Sequence, residues 1–248
     1  MNILVCISQV PDTTTKISVA PDGKSMDATG VKFILNPYDE FAIEEGLRLR
    51  EKHTGTVTAL TVGGDNAKEI LRTALAMGAD KAVIIKDAAK ADSFTIAKSI
   101  ADYASSINPD IILLGRQSID HDSFQMASTL GGLLSIPSIS VVSKLEITGT
   151  VVSAERDVEG GKEVLEASLP IVISAQKGLN DPRYPKLPDI MKAKQKPIEE
   201  ITPAAITARV DVVAMDIPAT ARANKVVGDT DADIAEFVRL LHEEAKVF

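Results

Sequence analysis

"TVTALTVGGDNAKEILRTALAMGADKAVIIK", from Thr56 to Lys86, contains the pattern that decides the fold. The runs at its two ends are short, apolar and rich in β-branched residues, and each is typical of a buried strand. Between them, Ile70, Leu71 and Leu75 recur at helical spacing, and Gly78 ends the pattern. A strand, a helix and a second strand in this order predict two parallel strands joined by a crossover helix.

The same alternation continues on both sides of this stretch. "NILVCIS" (Asn2–Ser8) predicts the first strand, and Asn36-Pro37 opens the first helix. "SFTIAKSIADYASSI" and "DIILLG" predict a further helix and strand, and "DSFQMASTLGGLLSI" predicts another helix with Asp122 or Ser123 as its N-cap. This order predicts an α/β fold with a mostly parallel sheet, in which ligands bind beyond the carboxyl ends of the strands.

The pattern changes near residue 139. Four extended stretches between Ser138 and Gln176 predict antiparallel strands that extend the edge of the sheet. A proline-rich segment follows, "GLNDPRYPKLPDIMKAKQKP" (Gly178–Pro197), with a helix-compatible run at Asp189–Lys196, and an amphipathic helix is predicted over Asp231–Lys246. We therefore expect an α/β domain over residues 1–176 and a C-terminal arm over 177–248, which has little core of its own and packs on a partner.

Composition narrows the class of protein. A net charge of −8 argues against nucleic acid as the main partner, because phosphate binding favours excess Lys and Arg. The single cysteine, Cys6, excludes an internal disulfide and suits a reducing compartment. No apolar run is long enough to span a membrane, and "MNILVCISQV" lacks the basic leader of a signal peptide. The expected location is cytoplasmic.

"LLGRQSIDHDSFQ" (Leu113–Gln125) lies between a predicted strand and a predicted helix. Free amides at that helix N-terminus can hold a phosphate, but Asp120 and Asp122 can equally serve only to cap the helix. Neither G-x-G-x-x-G nor a Walker A motif is present. Consecutive D-H-D residues rarely converge on one ion, so we expect no metal site. Cys6 lacks a predicted base, no nucleophile elbow occurs, and no catalytic residue is predicted.

Two other residues allow two interpretations each. Arg156 lies in "AERDVEGG", where mixed charges favour a solvated edge strand over a guanidinium that meets an anion. Leu187 lies between Pro185 and Pro188, in a segment that is either a bare linker or a surface that contacts a partner. A bare linker explains the prolines but not an exposed leucine.

Several stretches together resemble the beta subunit of electron transfer flavoprotein, over nearly the whole chain. They are "NPYDEFAIEEGLRL", "RTALAMGAD", "DIILLGRQSID.D", "ERDVEGGKEVLEASLPIVISA" and "LNDPRYPKLPDIMKAKQKPIE". The resemblance implies a Rossmann-like domain of the adenine nucleotide alpha-hydrolase type, and a heterodimer with an alpha subunit that carries the redox-active FAD. It further implies a carrier, not an enzyme, which takes electrons from acyl-CoA or related dehydrogenases and passes them to a quinone oxidoreductase.

The resemblance also implies site residues. This chain would bind a structural AMP through Cys6, Asn36, Pro37, Tyr38, Asp39, Val62, Gly115, Arg116, Gln117, Ser118, Ile119, Asp120, His121, Asp122, Ser123, Phe124, Gln125 and Met126. Arg156 matches an arginine near the flavin of the partner subunit, which reverses the preference from charge pattern alone. Residues about 183–196 match a recognition loop that docks dehydrogenases, with Leu187 as the anchor, assisted by Pro188, Ile190, Met191, Lys192 and Lys194.

The chain also departs from the family pattern. Cys6 replaces an alanine, Val62 replaces a cysteine, and no tyrosine occupies the first loop, so Thr13 is given no ring contact. Electron-bifurcating members hold a second FAD where others hold AMP, but the "KLPDIMKAKQK" form of the arm and the bulky Phe124 and Met126 favour AMP. A stand-alone adenine-nucleotide-binding protein is the remaining alternative, and the long arm argues against it.

Overall fold

The computed structural model of the protein describes residues 1–86, 92–218 and 224–248. Its strands are β1 (Asn2–Cys6), β2 (Gln9–Pro11), β3 (Phe33–Leu35), β4 (Thr56–Gly63), β5 (Lys81–Lys86), β6 (Ile111–Gly115), β7 (Ser138–Thr148), β8 (Val151–Val158), β9 (Gly161–Ser168), β10 (Ile171–Ala175) and β11 (Glu199–Ile201). Its helices are α1 (Pro37–His53), α2 (Lys68–Met77), α3 (Ser93–Ile107), α4 (Met126–Leu134), α5 (Leu187–Gln195) and α6 (Asp231–Arg239). A 3-10 turn (Asp65–Ala67) precedes α2, and a π-helical turn (Leu240–Glu244) follows α6.

Nine of the strands in the described ranges form one sheet in the order β11-β5-β4-β1-β6-β10-β7-β8-β9, and β2 pairs with β3 separately. The first seven strands of that order run parallel to their neighbours, and β8 and β9 complete one edge as antiparallel strands. The predicted α/β class, with a mostly parallel sheet and an antiparallel edge, is confirmed.

The sheet is covered on both faces, and β1 shows how. Its alternate residues point to opposite sides, as in any strand. Ile3 and Val5 join the core formed with α1 and α2, whereas Leu4 joins the core formed with α3 and α4. Burial on both faces explains why the parallel strands read as continuous apolar runs.

The predicted place of the last extended stretch is wrong. Strand β10 does not lie at the antiparallel edge but between β6 and β7, parallel to both, and all five of its residues are buried. Nearness in sequence to the hairpin of β8 and β9 suggested the edge. The uninterrupted apolar run "IVISA" is nevertheless what a strand buried on both faces requires.

The predicted start of α4 is also wrong. This helix begins at Met126 with Gln125 as N-cap, so neither Asp122 nor Ser123 caps it. Asp122 and Phe124 have φ angles of 53° and 54°, in the left-handed region that a right-handed helix does not use. Residues 116–125 therefore form a loop at the end of β6.

The other helix bounds differ less. Helix α3 has the predicted bounds, and α5 starts two residues earlier than the predicted run and ends at Gln195. The terminal helix is α-helical only to Arg239 and continues as the π-helical turn. None of the helices in the described ranges is long and apolar enough to cross a bilayer.

The end of the chain divides into two parts. Residues up to β11 pack on the α/β domain, and β11 adds a strand beside β5. Residues 202–218 form neither helix nor strand, and α6 has no buried residue among those described. Exposed apolar side chains lie in both of these stretches, at Val213 and Ile217 in the irregular segment and at Ile234 and Phe237 on α6. An exposed apolar surface of this kind is typical of an interaction site.

Candidate functional site

Three strand ends converge at one edge of the sheet. Strand β1 lies between β4 and β6, and Cys6 at its end is in register with Leu60 on one side and Leu114 on the other. The chain runs outward from β1 to β4 and β5 and then returns to the other side of β1 as β6. The strand order therefore reverses beside β1, which is where open α/β sheets bind ligands.

The first turn of α1 ties these strand ends together through Asp39. The buried carboxylate of Asp39 accepts hydrogen bonds from the backbone N–H of Ser8 at 2.7 Å and from its hydroxyl at 2.8 Å. Its other oxygen accepts from the backbone N–H of Gly115 at 2.9 Å. One side chain thus fixes the end of β1 relative to the end of β6.

Asn36 performs a similar task for the loop after β6. Its side chain is fully buried, and its amide nitrogen donates to the carbonyl of Gln117 at 2.9 Å. Its amide oxygen accepts from the backbone N–H of Ile119 at 3.3 Å. Pro37 follows at the first turn of the helix, where the lack of an N–H has no cost.

Gly115 is required by the closeness of Asp39. A Cβ atom at position 115 would lie 2.4 Å from Oδ1 of Asp39 and 2.7 Å from the carbonyl carbon of Tyr38. Both distances are far below van der Waals contact, so any side chain would separate β6 from α1.

Burial dominates the ionisation of the site. It raises the pKa of Asp39 to about 6, although the hydrogen bonds from Ser8 and Gly115 act in the opposite direction. Burial, and then the charge of Asp39, raise the pKa of the Cys6 thiol well above its ordinary value. A neutral, buried thiol is not a nucleophile.

The loop after β6 contains polar atoms that lack partners. The guanidinium carbon of Arg116 lies 4.7 Å from the ring centroid of Tyr38 and 5.1 Å from that of Phe124. Among the described residues, Nε of Arg116 and Oε1 of Gln117 are buried without a hydrogen-bond partner. Buried polar groups are nearly always paired, so this donor and this acceptor, adjacent in sequence, are available to a polar ligand.

The rest of the loop is held by its own contacts. The backbone N–H of Asp122 donates to the carbonyl of Ser118 at 2.9 Å, and the side-chain amide of Gln117 donates to the carboxylate of Asp122. The His121 side chain is exposed, with Nε2 3.9 Å from Asp120. Within the described ranges, no group of three His, Cys, Asp or Glu residues is arranged to hold a metal ion.

Other predicted site residues lie elsewhere. Arg156 lies on β8, separated from β6 by β10 and β7, or about 14 Å at the ~4.8 Å spacing of strands. It donates to Glu163 on β9 at 2.8 Å. The predicted docking residues lie on α5, where the Leu187 side chain is 73% exposed. Sequence reasoning missed Ser8 as the partner of Asp39, although its place two residues after the end of β1 was a usable signal.

A separate cavity of about 490 Å³ lies between α3 and the segment Glu199–Ala204. Its lining includes Asn2 and Lys81, which open their strands, together with Tyr103. It therefore extends towards the amino ends of the strands and contains none of the residues that tie β1 to β6.

A doubly covered parallel sheet with a polar site at its carboxyl edge defines a Rossmann-like α/β protein. The family model described as "Electron transfer flavoprotein domain" matches residues 25–206. The chain is 45% identical to "Electron transfer flavoprotein subunit beta" of Bacillus subtilis and 38% identical to that of Bradyrhizobium diazoefficiens, each over the full length of both proteins. It is 36% identical to the human subunit over 95% of this chain and 96% of the relative. The chain belongs to the family of electron transfer flavoprotein beta subunits.

Asp39 makes stability depend on pH. Because its pKa is raised in the folded state, the folded protein binds more protons than the unfolded chain between about pH 4 and 6, and the free energy of unfolding falls as pH rises through that window. We expect the difference between the parent and Asp39→Asn to fall by up to about 1.4 kcal/mol per pH unit there. Urea unfolding at a series of pH values measures it.

Asp92→Asn is the matched control for this titration. Hydrogen bonds from Thr95 lower the pKa of Asp92 to about 2, so its contribution appears as pH rises from about 2 to 4 and has the opposite sign. If the difference in free energy of unfolding between the parent and Asp39→Asn does not change from pH 4 to 6, the raised pKa of Asp39 is contradicted.

Proposed function

We propose that this chain is the beta subunit of a heterodimeric electron transfer flavoprotein, in which the alpha subunit binds FAD and this chain binds a structural AMP. The complex carries electrons from acyl-CoA or related dehydrogenases to a quinone oxidoreductase, and this chain turns over no substrate of its own. The observation that carries the proposal is the site at the ends of β1 and β6, where Arg116 and Gln117 present buried, unpaired polar atoms in a chain of this family.

AMP suits the chemistry of this site. The Nε of Arg116 is a charged donor of the kind that phosphate prefers, and Oε1 of Gln117 can accept from an amino or hydroxyl group of a nucleoside. The first amides of α4 follow the same loop and favour an anion. We propose that the loop 115–126 and the segment 36–39 hold the nucleotide, with the backbone at Cys6 and Val62 completing the site. The bulk of Phe124 and Met126 supports AMP over a second FAD.

Nucleotide content tests this assignment. We expect the purified heterodimer to release one AMP and one FAD per pair on denaturation, measured by chromatography and absorbance. Gly115→Ala should lose AMP and keep FAD, because its Cβ would collide with Asp39. Gly132→Ala is the matched control, since its Cβ would meet nothing within 4 Å. Two FAD per pair, or AMP retained in Gly115→Ala, would contradict the proposal.

Arg156 is the residue of this chain that we assign to the flavin of the partner. Bound flavin supplies the electron-accepting chemistry, and a nearby guanidinium stabilises negative charge on it in a poorly solvated interface. Arg156 is held by Glu163, with N···O distances of 2.8 and 2.7 Å. This pairing keeps the guanidinium on one face of the antiparallel edge.

Removing that charge should make reduction of the flavin less favourable. We expect Arg156→Ala to lower the midpoint potential by tens of millivolts, where about 59 mV corresponds to a tenfold change for one electron. Lys144→Ala is the control, because Lys144 forms a comparable cross-strand pair with Glu155 at 3.0 Å. Equal potentials in the parent and Arg156→Ala, measured by spectroelectrochemical titration, would contradict the role.

We propose further that α5 docks the dehydrogenase. Leu187, Ile190 and Met191 are exposed at i, i+3 and i+4 and so lie on one helix face. Pro188 in the first turn stiffens the start of this face, and Lys192 and Lys194 are exposed beside it. An apolar anchor with flanking positive charge suits an apolar pocket in an acidic surface.

Leu187→Ala tests the docking role. We expect the KM of an acyl-CoA dehydrogenase for the heterodimer to rise at least tenfold, because the anchor loses most of its buried area, while AMP and FAD content stay the same. Val151→Ala, which truncates an exposed valine on β8 outside the docking helix, is the control. Loss of nucleotide together with electron transfer would instead make the segment structural.

A further inference from the structure

The docking segment, defined here as Asn180–Lys196, is attached to the α/β domain at both ends. At its amino end, Arg183 donates to Glu44 at 2.8 and 3.1 Å and to Glu51 at 2.6 Å, both on α1. The side-chain amide of Asn180 donates to Glu45 at 2.9 Å. The exposed face of α5 therefore begins at an anchored point.

The carboxyl end of the segment is attached to α2 through Arg72. One guanidinium nitrogen of Arg72 donates to the carbonyl of Ala193 at 2.6 Å and also to the carbonyl of Lys196. In return, Nζ of Lys196 donates to the carbonyl of Ala79, just beyond the end of α2, at 2.9 Å. The carboxyl end of α5 is thus bonded both to the middle of α2, through Arg72, and to the turn that follows α2, through Lys196.

Arg72 is suited to this role by charge and position. The last carbonyls of a helix lack the usual i+4 donors and carry partial negative charge, so a guanidinium beside them is favourable. The Ala193 carbonyl accepts only a 3.3 Å backbone hydrogen bond from Lys196 in addition to that from Arg72. Ala193 is only 1% exposed and belongs to the core cluster that includes α2 residues such as Leu71. Ala193 faces α2 while Leu187 and Met191 face solvent, so the attachment of one face sets the direction of the other.

Helix α5 needs such support. It has only nine residues, begins with Leu187 and Pro188, and has no side chain that caps its amino end. Isolated helices of this length are unstable in water. Without attachment, ordering of the helix would oppose docking, because the ordering entropy would be lost on binding.

We propose that Arg72 is a positioning residue for dehydrogenase docking: by holding the carboxyl end of α5 against α2, it presents Leu187 in a preformed helix. This inference rests on the proposed docking function of α5. It assigns a role to Arg72, which lies more than 100 positions before Leu187 in the sequence. Arg72 belongs to the stretch "RTALAMGAD", and the proposed nucleotide site gives that stretch no role. Arg72 acts through α5, and the docked partner is an acyl-CoA dehydrogenase.

The test uses the intact heterodimer and a purified acyl-CoA dehydrogenase that reduces the parent. Arg72→Ala should raise the KM for the heterodimer about tenfold with little change in kcat, since docking is weakened and the flavin is untouched. Hydrogen exchange should become faster in the amides of α5 and remain unchanged in β1 and β6. Arg72→Gln keeps a donor and part of the stem, so it should fall between the parent and Arg72→Ala, and it serves if the alanine variant folds poorly.

Arg50→Ala is the matched control. Arg50 also donates to a carbonyl at the end of α2, that of Gly78 at 2.8 Å, but the contacts of its guanidinium are with Gly78 and Asp80 and not with the docking segment. We expect its KM to stay within twofold of the parent. A rise equal to that of Arg72→Ala would show general destabilisation of α2 and overturn the inference.

A double variant separates positioning from any independent effect. If Arg72 acts by presenting Leu187, then adding Arg72→Ala to Leu187→Ala should raise KM by less than about twofold, because the two changes remove the same contribution. Multiplicative effects, or an unchanged KM in Arg72→Ala, would overturn the inference while leaving the docking function intact. An unchanged KM in Leu187→Ala alone would instead contradict the docking function itself.

Discussion

The carboxylate of Asp39 holds the end of β1 to the end of β6, and the candidate site depends on that connection. Its three hydrogen bonds, from Ser8 and Gly115, offset part of the cost of burying a carboxyl group. The cost is not fully offset, because burial still raises the pKa to about 6. The absence of a side chain at Gly115 allows this contact, and the loop that begins there contains the unpaired atoms of Arg116 and Gln117.

Helix α1 connects this site to the docking segment. Its first turn provides Asp39, and its later turns provide Glu44, Glu45 and Glu51, which bind the amino end of the segment. Helix α2 provides Arg72 for the carboxyl end. The two helices that cover one face of the sheet therefore also hold both ends of the docking segment, so the candidate site and the proposed docking face are attached to the same pair of helices.

Much of the fold could be predicted from the sequence, because helices and strands of a parallel sheet have local signatures. The βαβ unit at Thr56–Lys86 and the bounds of α3 follow from periodicity and from Gly78. The position of β10 could not be read in this way, since a strand's neighbours depend on contacts far away in sequence. The start of α4 was misjudged because Asp122 resembles an N-cap, whereas its left-handed backbone and its contact with Gln117 keep it in the loop.

The candidate site was predictable in outline and not in its internal contacts. Strand ends at a reversal of sheet order indicate where a ligand binds, and that argument selected the loop after Gly115. The partners of Asp39, and the attachment of Lys196 by Arg72, join residues 31 to 124 positions apart and have no sequence signature. The resemblance of "RTALAMGAD" to the family identified the stretch without giving Arg72 a role.

A crystal structure of the purified heterodimer tests the central claim most directly. The account predicts an adenine nucleotide at the carboxyl edge of the sheet, within about 3.5 Å of Nε of Arg116 or Oε1 of Gln117. A nucleotide in the cavity beside Tyr103, or a bound nucleotide that leaves both of these atoms without a partner, would contradict it.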